Sequence, residues 1–239
     1  MQEKLDLKVW EARVEKEGLA WEMKGQLERA VDSYDHLQAE VEAVIPKSRR
    51  EDSEKKAIIA YLLMRKAGVL LETGKLESGN LLMNQALTYA EQSGNLLILS
   101  RAKLGLGVLY GSTNRFEEGE KLLKEALSSF SQRTDYDNRQ GAGWALLNLG
   151  GLYLKQEKLF LAEENLIRAI ELLKTIENWV GVASAYELKA KHDHIKGDFA
   201  LARQDLLSAI SFYEKQGMRE KADSLKNSIK NTNAFNHGS

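Results

Sequence analysis

Lys103-Leu104-Gly105-Leu106-Gly107-Val108-Leu109-Tyr110, followed downstream by Gly119 and Ala126, is the stretch that decides how this chain reads. Gly107 and Gly119 lie twelve apart, and Ala126 follows Gly119 by seven. Between them stands Thr113-Asn114-Arg115-Phe116. Two antiparallel helices joined by a short turn approach closely only where side chains are small, because side-chain size at the crossing sets the interaxial distance. Gly107 and Gly119 meet that need, Ala126 admits the next helix, and Tyr110 and Phe116 fill the volume around the crossing.

The frame recurs. A second copy reads Ala67, Leu70, Leu76, Gly79, Ala86; a fourth reads Gly150, Tyr153, Leu159, Ala162, Ala169; a fifth reads Ala190, Phe199, Ala202, Ala209. A weaker first copy reads Gly18, Trp21, Leu27, Ala30, Leu37. The turns align as Lys24-Gly25-Gln26-Leu27, Thr73-Gly74-Lys75-Leu76, Gln156-Glu157-Lys158-Leu159 and Lys196-Gly197-Asp198-Phe199. The small residue that opens each second helix falls at 30, 79, 119, 162 and 202, giving spacings of 49, 40, 43 and 40. Self-similarity at such a period marks a solenoid.

These residues resemble the tetratricopeptide repeat (TPR) family over about residues 10–215. The period is longer than the usual ~34 residues. The family's Trp is replaced by Leu63, Lys103, Leu146 and Tyr186, and its closing Pro is absent except at Pro46. The extended variant is similar to the repeats of kinesin light chains, spindle-orientation adaptors and bacterial peptide-sensing regulators. The resemblance implies an all-α, right-handed α-α superhelical solenoid of five TPR-like helix pairs plus a C-terminal capping helix. The expected units are 3–45, 52–92, 96–132, 138–177 and 179–216 within a single domain 1–230. The capping helix is expected at 219–230, and 231–239 is expected to be a flexible tail. Lys47 to Ser53 reads as a polar connection after Pro46, which ends the helix before it.

Composition sets limits on function. One proline in 239 residues favours helix throughout. With 34 Lys and Arg against 35 Asp and Glu, there is no general attraction to nucleic acid or anionic lipid. Without cysteine there is neither a disulfide framework nor thiolate chemistry. No apolar run reaches 18 residues, and the charged start lacks a signal-peptide core, so a cytoplasmic protein is expected.

Catalytic, metal and cofactor chemistry find little support. His192-Asp193-His194 is the one histidine cluster. Residues two apart on a helix point about 200° apart, so the two imidazoles do not share a metal. Gly105-x-Gly107 and Gly141-x-Gly143 lie in helical surroundings and lack the strand and third glycine of a dinucleotide fingerprint. The expectation is a non-enzyme with no cofactor and no metal.

The resemblance implies that peptide ligands lie along the inner surface made by the first helix of each pair. Helical spacing places Tyr61, Met64, Gly68 and Leu71 there in the second unit, and Arg101, Leu104 and Val108 in the third. The fourth contributes Trp144, Leu147, Asn148, Gly151 and Leu154, with Lys155 at the rim; the fifth contributes Ser184, Glu187, Lys191 and His194. The first unit places Glu15, Leu19 and Glu22 there. The middle of this stripe is apolar, which suits an amphipathic helix or an extended apolar peptide. The alternative for Leu104, Leu147 and Leu154 is that curvature closes the groove and makes them core. Met64 and Leu104 stand where a terminal-carboxylate clamp wants Lys, and Gly68 and Val108 where it wants Asn, so that clamp is not expected. The readings are a protein-interaction scaffold, a peptide-sensing regulator that changes superhelical pitch, or a self-associating subunit.

Overall fold

The computed structural model describes residues 5–236, and the side chains of 5–229. Among the described residues there is no strand. The chain divides into two compact units, one up to Asn114 and one from Arg115.

The first unit opens with α1 (Leu7–Val14), capped by Asp6, whose carboxylate accepts from the backbone N–H of Lys8 and Val9. Residues Glu15–Leu19 widen into a single π-helical turn before α2 (Ala20–Glu22). The first helix of the expected unit 3–45 thus runs through a π turn at its middle; residues 3–4 lie outside the described ones. The bulge places Gly18 against the ring of Tyr34, where a Cβ would fall 2.0 Å from Cε1. α3 (Leu27–Ala43) ends ahead of Pro46, as its geometry requires. α4 (Arg49–Glu72) starts three residues earlier than expected. Ser48 accepts from Glu51 N at 3.2 Å, and Glu51 Oε2 accepts from Lys47 N at 2.7 Å. That reciprocal cap converts most of the supposed connection into helix. α5 (Leu76–Ser93) and α6 (Leu96–Ser112) complete the unit. α4 packs on α5, α3 and α1, and α6 on α5 and α4. Their shared core holds Trp10, Tyr34, Leu37, Ile58, Leu62 and Ile98.

The second unit contains α7 (Phe116–Phe130), α8 (Tyr136–Lys155), α9 (Leu159–Thr175), α10 (Trp179–Lys196), α11 (Phe199–Lys215) and α12 (Arg219–Asn236). Each packs on the next in order, and α8 also packs on α10. α12 runs past the expected end at 230. Residues 231–236 continue the helix because neither Gly nor Pro interrupts the chain before Gly238. Residues 237–239 of the expected tail lie outside the described ones.

The repeat frame is a packing frame. Ala30, Gly79, Gly119, Ala162 and Ala202 are all buried, and so are Leu37, Ala86, Ala126, Ala169 and Ala209. A Cβ on Gly79 would meet Leu71 at 2.6 Å and the Ala67 carbonyl at 3.3 Å. A Cβ on Gly150 would meet Leu166 at 2.7 Å and the Ala162 carbonyl at 3.4 Å. At both crossings the small residue of one helix sits against the backbone of its mate.

The turns are equally regular. Gly25, Gly74, Asn114, Glu157 and Gly197 take positive φ. The residue after each has φ between -81° and -91° and ψ between 62° and 64°. In four of these turns its N–H donates to the carbonyl five residues back: Gln26 to Trp21, Lys75 to Leu70, Lys158 to Tyr153 and Asp198 to Asp193. This closing bond satisfies a carbonyl that the helix end leaves open. The same bond joins one pair to the next at Asn178 to Leu173 and Met218 to Tyr213.

Candidate functional site

The inner-stripe residues are positioned by helices that are otherwise buried. On α8, from Gly141 to Lys155, four residues retain exposure: Trp144, Asn148, Gly151 and Lys155. Their spacings of four, three and four trace one face of a helix. α7, α9 and α10 pack around the rest. Leu147 and Leu154 belong to that packed part, with 6% and 8% of their surface exposed. They offer a ligand little, in line with the core alternative. Asn148 Nδ2 donates to the Trp144 carbonyl at 2.8 Å. Trp144 leans on the core of Leu146, Leu173 and Val182 while one side remains open. Gly151 is bordered by Leu188 of α10, whose Cδ1 would lie 3.3 Å from a Cβ there.

On α10 the expected rim has a different task. Glu187 pairs with Lys191 at 3.2 Å and with Lys221 of α12 at 3.4 Å. Tyr213 donates to Glu187 Oε2 at 3.4 Å and its hydroxyl lies 2.9 Å from Ser184 Oγ. Burial works against the charge of Lys221, but Tyr213 and Glu187 outweigh it and lift its pKa above the usual lysine range. Glu187 thus secures the terminal helix. His194 is exposed and packs edge-on against Phe199 at 5.1 Å.

In the first unit, the open residues of α4 between Ala57 and Leu70 are Tyr61, Met64, Arg65, Lys66 and Gly68. Nothing lies within 4 Å of a Cβ built on Gly68. Leu71, expected on this stripe, packs over Gly79 of α5 instead. On α6, Arg101 and Leu104 are half-buried and Val108 is 40% exposed. Arg101 lies over the Tyr61 ring at 5.9 Å and donates to Glu11 Oε1 at 2.5 Å. Burial raises the Tyr61 phenol pKa. Glu22 accepts from both Tyr34 and Arg65. The first unit's face is therefore strapped by ion pairs, which the apolar sequence reading did not anticipate. Arg101 and Glu11 stand ninety residues apart, and nothing in the repeat pattern links them.

Among the described residues, no group of three or more His, Asp or Glu side chains is placed to hold a metal ion. No described helix is long and apolar enough to cross a membrane.

Solved structures that align with the chain at high probability are built of stacked helix pairs. A putative kinesin light chain with nearly identical TPR-like repeats, from Podosopora anserina, aligns with a TM-score of 0.57 at 13% identity, covering 90% of this chain and 99% of that one. This is a TPR-like repeat fold. BtubC (BKLC) from P. vanneervenii aligns with a TM-score of 0.59 at 16% identity, covering 82% of this chain and 77% of that one. Aspartyl phosphate phosphatase F from Bacillus subtilis gives 0.64 at 13% identity, covering 97% of this chain and 61% of that one. No family model and no curated protein sequence matches the chain. At these identities the TPR-like neighbours share the architecture, and the site has to be read from this chain's own residues.

Proposed function

We propose that this TPR-like chain is a protein-interaction scaffold that receives a peptide segment of a partner on the inner faces of its helix pairs. The observation that supports it is the open stripe of α8. Trp144, Asn148, Gly151 and Lys155 line one face of a helix whose other sides are filled. An aromatic ring, an amide, a bare backbone position and an ammonium within one stripe suit an amphipathic segment. The ring supplies apolar area, and the polar groups fix register. On the first unit, taken by itself, Tyr61, Met64 and Val108 offer apolar area of the same kind. Leu147 and Leu154 leave the binding set, and Glu187 serves α12 first, with Lys191 paired to it.

The test is affinity capture with the folded wild type against Trp144→Ala and Asn148→Arg. The arginine fills the stripe without entering the core. A partner retained by both variants at wild-type level sinks the reading; loss from both, with unchanged circular dichroism, supports it.

A second reading, self-association, draws on the second unit's exposed apolar residues. Phe160 is 79% exposed, and Ile195, Phe199 and Leu207 also face outward. Sedimentation over a hundredfold concentration range tests it: a constant monomer mass removes it.

A further inference from the structure

We propose that Lys189, Asp193 and Asp205 form a proton-taking lock that tightens α10 against α11 as pH falls from neutral into the carboxyl range. The inference needs no ligand and stands apart from the interaction surface above.

The four side chains meet inside the second unit. Lys189 Nζ lies 2.9 Å from Asp193 Oδ2 and 2.8 Å from Asp205 Oδ2. Asp193 Oδ1 lies 2.8 Å from His192 Nδ1. His192, Asp193 and Asp205 are buried, His192 completely. A carboxylate only accepts, so Nδ1 carries the imidazole hydrogen. In the neutral ring Nε2 is then a bare acceptor. It is buried without a hydrogen-bond partner. The charged oxygen facing it is Glu163 Oε2 of α9, 3.8 Å away, which is another acceptor. Lys196 of α10 also reaches that carboxylate at 3.8 Å. α11 contributes Asp205. α8, which also packs on α10, ends in Lys155, at the level of Ile195 in the repeat frame.

The charge count sets the direction. Around the imidazole's inner side, two carboxylates share one ammonium, and burying the surplus charge is costly. One added proton removes the surplus. Taken by the carboxyl pair, it lets Asp193 and Asp205 share a hydrogen bond. Burial and the neighbouring Asp193 hold the Asp205 pKa above the usual carboxylate range, against the pull of Lys189. Burial pushes Asp193 the same way, but hydrogen bonds from Lys189 and His192 outweigh it and hold Asp193 below that range.

The sign follows from proton counts. Where Asp205 holds its proton in the fold and releases it in the unfolded chain, stability rises as pH falls. Asp193 contributes stability above the unfolded carboxyl pKa of ~3.9, lost only at lower pH. The gain therefore lies between neutral pH and about 4.

The experiment is thermal melting of the full chain at pH 7.5 and pH 5.5 for the wild type and Asp205→Asn. Asp205→Asn removes the surplus charge, so its Tm at pH 7.5 should exceed wild type by about 3 °C and its advantage should shrink at pH 5.5. Variant curves that parallel wild type at both pH values would overturn the lock. So would an Asp205→Asn chain less stable than wild type at pH 7.5, since that would make the second carboxylate a needed partner of Lys189.

Discussion

Arg101 of α6 crosses the ring of Tyr61 on α4 and donates to Glu11 of α1 at 2.5 Å. The pair spans three helices of the first unit, with both side chains about a fifth exposed. Partial burial strengthens the attraction and makes a lost partner expensive. Glu11→Gln and Arg101→Met should each cost about 1–2 kcal/mol, because charge-assisted bonds contribute roughly that when partly shielded from water. Urea denaturation of both single variants and the double variant measures it. The double variant should cost less than the sum, with a coupling of about 1 kcal/mol. Strict additivity would show that the strap contributes nothing.

Two glycines should answer alanine in opposite ways. At Gly18 a Cβ would penetrate the buried Tyr34 ring, whose hydroxyl is tied to Glu22. The ring cannot withdraw without breaking that bond, so Gly18→Ala should cost about 3 kcal/mol. At Gly68 a Cβ meets open space in the interior of α4. Gly68→Ala should raise stability by about 0.5–1 kcal/mol, the helix-propensity difference between the two residues. Denaturant midpoints of the two variants on opposite sides of wild type are the expected result.

The repeated turn makes a prediction at its exceptions. Gly197 takes φ of 84° at the end of α10, whereas Glu157 takes φ of 57° at the equivalent place after α8. A side chain in the left-handed region costs about 1–2 kcal/mol, part of which glycine returns through its looser unfolded state. Glu157→Gly should therefore add about 0.5 kcal/mol of stability and raise Tm by about 1–2 °C, while Gly197→Ala should cost about 1 kcal/mol and lower it by about 2–4 °C. Calorimetry of both variants reads the two signs.

What the sequence reveals depends on which force does the selecting. Ala30, Gly79, Gly119, Ala162 and Ala202 were legible because close helix approach excludes larger residues, and that exclusion recurs at each crossing. The turns were legible through Gly25, Gly74 and Gly197, and by alignment through Asn114 and Glu157. The inner face was harder to read. Leu71 is half-buried and packs over Gly79 of α5, a contact between helices that spacing along α4 alone does not carry. Leu147 and Leu154 read as a ligand stripe because apolar spacing does not distinguish a helix packed on three sides from one packed on two. The Arg101–Glu11 strap and the burial of His192 and Asp193 follow from tertiary neighbours in other helices, which local patterning does not carry. The π turn at Glu15–Leu19 has no sequence signal beyond Gly18, whose smallness read simply as a crossing position.

α12 packs on α11 and covers apolar surface there. Ala222 is fully buried against Ala209, Ile210 and Tyr213, with Leu225 and Ile229 beside it. Outside that patch, Lys221 lies over the Tyr213 ring at 5.1 Å and pairs with Glu187. Ala222→Asp would force a carboxylate into the apolar contact without a partner, at a cost of several kcal/mol that a single docked helix cannot absorb. The helix should then detach while α10 and α11 remain paired, because their shared surface does not include Ala222. Limited trypsin digestion separates this from global unfolding. Cleavage at Lys221 and Lys226 should accelerate at least tenfold, while the fragment ending near Lys215 persists. Uniform digestion of the whole second unit would instead mean that the cap and the fifth pair fold as one.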